Sequence, residues 1–271
     1  MPELPEVQTV LDDLSNAIKG KQISSLECFY PGTVILDPEL GGDPFPATAV
    51  EFVRRGKYML IHLDSGASFI IHLRMTGKLV AATQPAEPQK HERARINLGC
   101  GKLLHFIDIR TFGKIILCKT ANIPLFMPQL GLEPLDKSFT AQALSAKLKS
   151  KTAPIKSALL DQRIIAGLGN IYVCEILYRT GISPIIQAGK LKAPALKRVV
   201  KETVQVLSEA IAMGGTSISD FRRIDDKTGE FQHFLRVYQK QTCPLGHPIE
   251  RIVQAGRSTF YCPVCQTESS K

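Results

Sequence analysis

The chain has no apolar run approaching the 18 residues a membrane-spanning helix needs, so no transmembrane segment is expected. Its N-terminus lacks the basic stretch and apolar core of a secretory signal; Met1-Pro2-Glu3-Leu4-Pro5-Glu6-Val7 is polar and acidic instead. No internal repeat or low-complexity stretch is evident. The seven cysteines are an odd number and therefore not a pure disulfide framework. Cys28, Cys100, Cys118 and Cys174 are scattered, three of them among apolar residues, and read as reduced, mostly buried thiols of a cytoplasmic protein. Acidic residues are the scarcer charge. The 34 Lys and Arg against 25 Asp and Glu leave +9, which favours a polyanionic partner. Residues 150–271 hold 17 of those cations and 10 acids, so +7 lies in the C-terminal half.

What is present is enough apolar sequence, 44%, for ordinary globular cores, and 271 residues make room for two domains and a small appendage. Val7, Val10, Leu11, Leu14 and Ile18 recur at helical spacing, so Pro5 to Lys19 is expected to be a helix stopped by Gly20. Residues 22–120 then read as short strands and tight turns: Val50–Val53, Tyr58–Leu63, Ser68–Arg74, Lys78–Ala82, Arg95–Leu98, Leu103–Ile107 and Lys114–Lys119. Strands at this spacing predict an antiparallel sandwich. Pro124, Pro128, Gly131 and Pro134 mark a linker over 121–138. Beyond it the period becomes helical at about 140–149, 154–164, 170–180 and 190–213, followed by a short β-rich tail. The class is α+β with two domains.

Four groups of residues can carry chemistry. Initiator methionine is readily removed before proline, which would leave Pro2 as a secondary amine. An α-amino group titrates near roughly 8, so part of it is nucleophilic at neutral pH. Its attack on a sugar C1′ gives a cationic iminium, and Glu3 beside it can move protons. At the other end, Cys243, His247, Cys262 and Cys265 place four soft donors in 23 residues, a Cys3His set for one structural zinc with no open position. Such a small unit would draw much of its folding energy from the metal. Gly167-Leu168-Gly169-Asn170 is a tight turn into a helix, with Asn170 as a natural cap; it is either a plain connection or, with Lys151 and Lys156 upstream, a phosphate site. Lys57 follows Arg54-Arg55-Gly56 at a strand edge, where a solvated basic face is the alternative. Met75, Arg110 and Phe112 lie on two strand-to-turn segments and are either core residues or a wedge for a base stack.

Taken in order, Pro2-Glu3-Leu4-Pro5-Glu6-Val7, Arg55-Gly56-Lys57-Tyr58, His72-Leu73-Arg74-Met75-Thr76-Gly77, Asp108-Ile109-Arg110-Thr111-Phe112-Gly113, Gly167 to Tyr172 and Ala255 to Cys265 resemble bacterial formamidopyrimidine-DNA glycosylases over essentially the whole chain. The resemblance implies a repair enzyme that removes oxidised purines, 8-oxoguanine and formamidopyrimidines, from duplex DNA and then cleaves the abasic site by β,δ-elimination. It implies an N-terminal antiparallel β-sandwich with its N-terminal helix over 1–120 and a helix-two-turn-helix domain over 139–230. A β-hairpin zinc finger over 235–268 completes the chain, with DNA between the domains. Pro2 would form the Schiff base, with Glu3 as acid and base. Lys57 would assist cleavage, and Arg257 would bind phosphate and assist δ-elimination. His72, His91, Arg110, Lys151, Lys156 and Asn170 would contact DNA. Met75, Arg110 and Phe112 would fill the void left by the extruded base, and residues from Thr216 to about 230 would cover that base. No organic cofactor, no membrane and a monomer are expected, at the nucleoid in the cytoplasm.

The family's finger carries two Cys-x-x-Cys pairs; here Leu245 or Gly246 stands where the second cysteine belongs and His247 is the nearest substitute. Leu4, where the related endonuclease VIII branch has Gly, favours purine over pyrimidine lesions. A damaged-DNA binder without catalysis is the reading of a different class, and retention of Met1 would favour it.

Overall fold

The computed structural model describes residues 1–83, 87–99, 101–218 and 221–267. Cys100, Ser219, Asp220 and Glu268, which enter the thiol, loop and finger expectations, lie outside the described residues. Two compact units emerge: Met1–Pro128 with Met213–Glu230, and Gln129–Ala212 with Phe231–Lys271.

The first unit opens with helix α1 (Leu4–Ile18), one residue earlier than its periodicity indicated. Pro5 sits in the first turn, where its missing N–H is no loss. Glu3 precedes the helix with extended backbone, and its N–H donates to Glu6 Oε2 at 2.8 Å, satisfying one of the exposed donors of the helix start. Gly20, at φ +74°, ends the element, and its N–H donates to Ala49 O. Val7, Val10, Leu11, Leu14 and Ile18 are buried as one stripe. They join a core built from alternate residues of the strands, including Met59, Ile61, Phe69, Ile71, Ile96 and Leu117.

Among the described residues nine strands form the sheet: β1 (Gln22–Cys28), β2 (Val34–Leu36), β3 (Ala47–Arg55), β4 (Tyr58–Leu63), β5 (Ala67–His72), β6 (Lys78–Thr83), β7 (Glu92–Leu98), β8 (Lys102–Ile107) and β9 (Lys114–Lys119). Their order is β2-β9-β5-β4-β3-β1-β7-β8-β6. The β1–β3 joint is short, Gln22↔Thr48 and Ile23↔Ala47, and one apolar cluster collects side chains from both halves, the packing of a sandwich. Every pair is antiparallel except β2 with β9. β2 enters from a loop rather than a hairpin, anchored by Ile115 N–H on Thr33 O and by the Asp37 carboxylate, which accepts from Lys119 N–H and Asn122 Nδ2. β4, β5 and β9 are apolar on both faces because their outer side, Leu60, Ile70, Ile116 and Cys118, packs under the short helix α2 (Ile123–Phe126). There burial pushes the Cys118 thiol up to about 11, with the Asp37 charge adding to it. Cys28 differs from the buried-thiol expectation: it is exposed, its thiol donating to Tyr30 O.

The second unit is helical: α3 (Ala141–Leu148), α4 (Ile155–Leu160), α5 (Asn170–Thr180) and α6 (Ala193–Ala212). Thr140 caps α3, its hydroxyl accepting Ala143 N–H at 3.1 Å. Leu196, Val199, Val206, Leu207 and Ala210 form the buried stripe of α6. Helix α4 is shorter than expected. The Gln162 amide donates to the carbonyls of Leu160 and Leu168 and accepts Gly167 N–H, so these groups serve a loop instead of a helical ladder. Cap and helix also trade places in the next turn: Gly169 is the cap of α5 and Asn170 its first residue. Gly181, at φ +71°, closes α5 in the left-handed conformation that suits glycine. A hairpin of β10 (Glu250–Gln254) and β11 (Arg257–Tyr261) completes the unit. Among the described residues no helix is long and apolar enough to cross a membrane.

Candidate active site, anion pocket and metal centre

In the first unit the start of α1 is enclosed. Met1 is exposed, Pro2 is buried, and Glu3 and Glu6 are 3% and 1% exposed. One oxygen of Glu6 takes the Glu3 N–H and the other takes Thr216 N–H, at 2.8 Å each. The segment bearing Pro2 is therefore tied through Glu6 to Thr216. Lys57 is also buried, at 5% exposure, in the two-residue turn Gly56-Lys57 between β3 and β4. Gly56 supplies the φ of +58° that this turn requires. Arg54 beside it bonds Gln8 of α1 (Nε to Oε1, 2.8 Å) and Gly56 O (3.1 Å), which links the lysine turn to the helix that follows Pro2.

His72 ends β5 with its ring edge-on to Tyr58, centroids 4.4 Å apart. It is buried, and Nδ1 accepts Arg74 N–H at 2.9 Å, which leaves the proton on Nε2. Burial first, then the charges of Arg74 and Lys57, lower its pKa to about 3, so the ring is neutral at working pH.

The two turns expected to carry the wedge meet over one carboxylate. Asp108 is wholly buried. Its Oδ2 accepts Gly113 N–H at 2.7 Å, and its Oδ1 accepts Arg110 N–H and the Thr76 hydroxyl. A Cβ at Gly77 would lie 2.5 Å from Leu73 O, and one at Gly113 would lie 2.5 Å from the Phe106 ring, so both turns need glycine. The result holds Met75 and Phe112 out in solvent, 40% and 49% exposed, with the Arg110 guanidinium 4.9 Å from the Phe112 ring centre. Exposure on this scale rules out a core role for the pair. His91, at φ +65°, adjoins the same loop: its carbonyl accepts Asp108 N–H, and Arg93 spans Asp108 O and His91 Nδ1.

In the second unit an open pocket of about 640 Å³ is lined by Asn170, Tyr238, Lys240, Arg251 and Arg257 among others, with no carboxylate. Three cations around a concave surface make it electropositive, suited to an anion. Asn170 donates from Nδ2 to Ser258 O (2.9 Å), joining the start of α5 to the hairpin that carries Arg257. Lys151 is partly exposed, whereas Lys156 is buried within the unit. The residue that shapes this pocket is one to which the sequence reading gave no role. Glu175, wholly buried on α5, accepts N–H bonds from Arg236, Val237 and Tyr238 at 2.8, 3.0 and 2.9 Å. It fixes Tyr238, whose ring stands edge-on to Phe260, centroids 5.1 Å apart. A lone acid among Tyr172, Val173, Cys174, Ile176 and Leu177 was the available signal.

Cys243, His247, Cys262 and Cys265 converge, their donor atoms all within 4.8 Å of one another. Cys243 Sγ lies 3.8 Å from Cys265 Sγ and 3.7 Å from His247 Nδ1. A tetrahedron with zinc–sulfur bonds near 2.3 Å has edges of about 3.8 Å, which the Cys243–Cys265 separation matches, and the other donors lie near enough to close on the same centre with small shifts. The longer Cys-x-x-x-His spacing works because Gly246, at φ +81°, turns the chain, with Gly246 N–H on Cys243 O and Cys243 N–H on His247 O. Gln266 is a second residue the sequence reading passed over. Its Oε1 accepts Cys262 N–H and its amide donates to Ile182 O, which orients the knuckle and anchors it to the helical part of the unit.

Three family descriptions match in chain order: formamidopyrimidine-DNA glycosylase N-terminal domain over residues 1–115, formamidopyrimidine-DNA glycosylase H2TH domain over 130–222, and the zinc finger found in FPG and IleRS over 246–267. The formamidopyrimidine-DNA glycosylases of Dinoroseobacter shibae and Desulfitobacterium hafniense are each 40% identical, with 98% of this chain and 100% of theirs aligned. Among solved structures, the complex between the Lactococcus lactis Fpg and abasic-site DNA superposes with a TM-score of 0.88 at 35% identity, covering 98% of this chain and 100% of that one. The MutM (Fpg) protein from Thermus thermophilus gives 0.86 at 36%, covering 98% and 99%. The finger match and the converging donors together support one structural zinc.

Proposed function

Because this chain belongs to the formamidopyrimidine-DNA glycosylase family, we propose that it excises oxidised purines, 8-oxoguanine and formamidopyrimidines, from duplex DNA and then cleaves the resulting abasic site. The observation that carries the reading is the enclosure of Pro2 and Glu3 at the head of α1, with the buried Lys57 on a turn tied to the same helix. Removal of the exposed Met1 converts the Pro2 nitrogen from an amide to a secondary amine. That amine attacks C1′ as the bond to the purine nitrogen breaks. The base leaves with the electron pair and picks up a proton, and the sugar ring opens to an iminium.

Glu3 serves as the acid and base at this centre. The iminium acidifies the C2′ proton; its loss expels the 3′ phosphate, and a second elimination expels the 5′ phosphate. Lys57 supports the cleavage steps with positive charge, and Arg257 holds phosphate. His91, Arg110, Lys151, Asn170 and the anion pocket hold the backbone, which makes binding fall steeply with salt. Lys156, buried within its unit, and His72, beside Lys57, complete the DNA-binding set. Met75, Arg110 and Phe112 fill the gap left by the extruded base, offsetting part of an unstacking cost of roughly a few kcal/mol. The protein works as a monomer on DNA in the cytoplasm. Domain limits near 120, 139 and 235 complete the proposal.

Borohydride reduction on an 8-oxoguanine duplex should trap a covalent protein–DNA adduct, and Pro2→Gly should trap less. Undiminished trapping in Pro2→Gly counts against Pro2. Preferential action on thymine glycol points instead to pyrimidine lesions, and binding without trapping points to a non-catalytic reader of damage.

A further inference from the structure

The described residues of 213–230 belong to the first unit, and their two ends meet at a neck that only glycine permits. Glu230 N–H donates to Met213 O at 3.0 Å. A Cβ on Gly229 would stand 2.3 Å from Gly215 O and 2.4 Å from Gly214 O. The entry limb is pinned by Thr216 N–H on Glu6. The exit limb curls into a turn, with Arg223 N–H on Lys227 O and Asp226 N–H on Arg223 O, and inserts Phe221 and Ile224 into the sandwich core. Two ion pairs fasten that turn sideways. The Arg223 guanidinium grips Asp13 of α1 with both arms, Nη2 to Oδ1 at 2.7 Å and Nε to Oδ2 at 3.0 Å. Lys78, at the start of β6, meets Asp226 Oδ1 at 2.9 Å.

Helix α1 therefore has Pro2 at its head, Glu6 in its first turn on one limb of the loop, and Asp13 two turns later on the other. Lys78 stands three residues past Met75, on the strand that leaves the wedge turn. Apolar burial of Phe221 and Ile224 keeps the loop attached without direction, and Ala81 N–H on Ile224 O at 2.9 Å ties this limb to β6 and not to α1. A two-armed guanidinium–carboxylate pair is directional and fixes register.

We propose that Asp13–Arg223 and Lys78–Asp226 are positioning pairs that set the loop in register with the helix bearing the nucleophile. They act on excision of a base held by the loop and not on strand cleavage at a site that has already lost its base. The inference rests on the proposed reading of this loop as the cover of the extruded base.

The test compares wild type with Asp13→Asn, Lys78→Gln and the double variant, in single-turnover assays on two duplexes. One contains 8-oxoguanine and the other a preformed natural abasic site. Excision should fall about tenfold in Asp13→Asn, the partly buried two-armed pair, and about two- to fivefold in Lys78→Gln, the more exposed one. Abasic cleavage should stay within about twofold, since that substrate presents no base to the loop. Asp13→Glu should recover most of the excision rate. Equal loss on both duplexes, or no loss on either, overturns the proposal. Trypsin gives a readout independent of DNA chemistry: cleavage after Arg222 and Lys227 should quicken in Asp13→Asn while the melting midpoint stays within a few degrees. Unchanged cleavage overturns the register claim. Wild type inactive on the lesion duplex, with cleavage still quickened, counts against the excision reading alone.

Discussion

Replacing Glu175 with Gln changes one atom's hydrogen-bonding sense and little else. The carboxylate accepts three main-chain N–H groups, two on Oε1 and one on Oε2. Glutamine keeps an oxygen for Val237 and Tyr238 but turns an NH2 toward the Arg236 N–H, donor against donor. Hydrogen bonds to a charged acceptor contribute about 1.5–3 kcal/mol each. Losing one and weakening two at a wholly buried site should destabilise the second unit by about 3 kcal/mol. At roughly 2–4 °C per kcal/mol for a unit of this size, its melting midpoint should drop by about 6–12 °C. The segment released holds Tyr238 in the anion pocket, so affinity for an undamaged duplex, read by fluorescence anisotropy at fixed salt, should fall about tenfold, equivalent to ~1.4 kcal/mol. A midpoint within 2 °C of wild type (inside the effect of about 1 kcal/mol) and unchanged affinity would refute the claim that this carboxylate holds the pocket together.

Asp108→Asn removes the acceptor shared by the two wedge turns and should lower the stability of the first unit by about 2–4 kcal/mol in urea unfolding, with faster trypsin cleavage at Arg110; a loss below about 0.5 kcal/mol would contradict its role. Metal analysis should find one zinc per chain, lost in Cys262→Ser and retained in His247→Cys, which restores a thiolate at the fourth position; zinc retained undiminished in His247→Ala would exclude the imidazole as a ligand. His72 has its folded pKa lowered from 6.5 to about 3, so the unfolded chain takes up its proton first. That contribution to stability is present above pH 6.5 and is lost progressively as pH falls from 6.5 toward 3. His72→Gln should flatten this part of the stability–pH curve, and His72 ring protons that titrate near 6.5 by NMR would contradict the burial argument.

Periodicity alone located α1, because a single apolar stripe on a 15-residue helix leaves no competing pattern. It also found most strands of the sandwich, since β4, β5 and β9 are apolar on both faces. β1 and β2 were blurred: Ser24, Ser25 and Glu27 dilute one, and the other is a three-residue strand that pairs in parallel across the chain. The end of α4 was illegible for a different reason, since a single Gln162 side chain outcompetes a helical ladder. Among the site residues, the metal donors could be read from spacing because tetrahedral coordination restricts it tightly. Asp108, Glu175 and Gln266 could not be assigned, because their work is done on main-chain N–H groups that become neighbours only in the fold. Asp13 and Arg223, 210 residues apart, are the extreme case.

The most direct test is peptide mapping of the adduct captured by borohydride on an 8-oxoguanine duplex. The expected result is a Met1-free N-terminal peptide that carries the deoxyribose remnant on the Pro2 nitrogen. Capture on any other residue, or a chain that retains Met1 and yields no adduct while still binding the duplex, would contradict the assignment of Pro2 as the nucleophile.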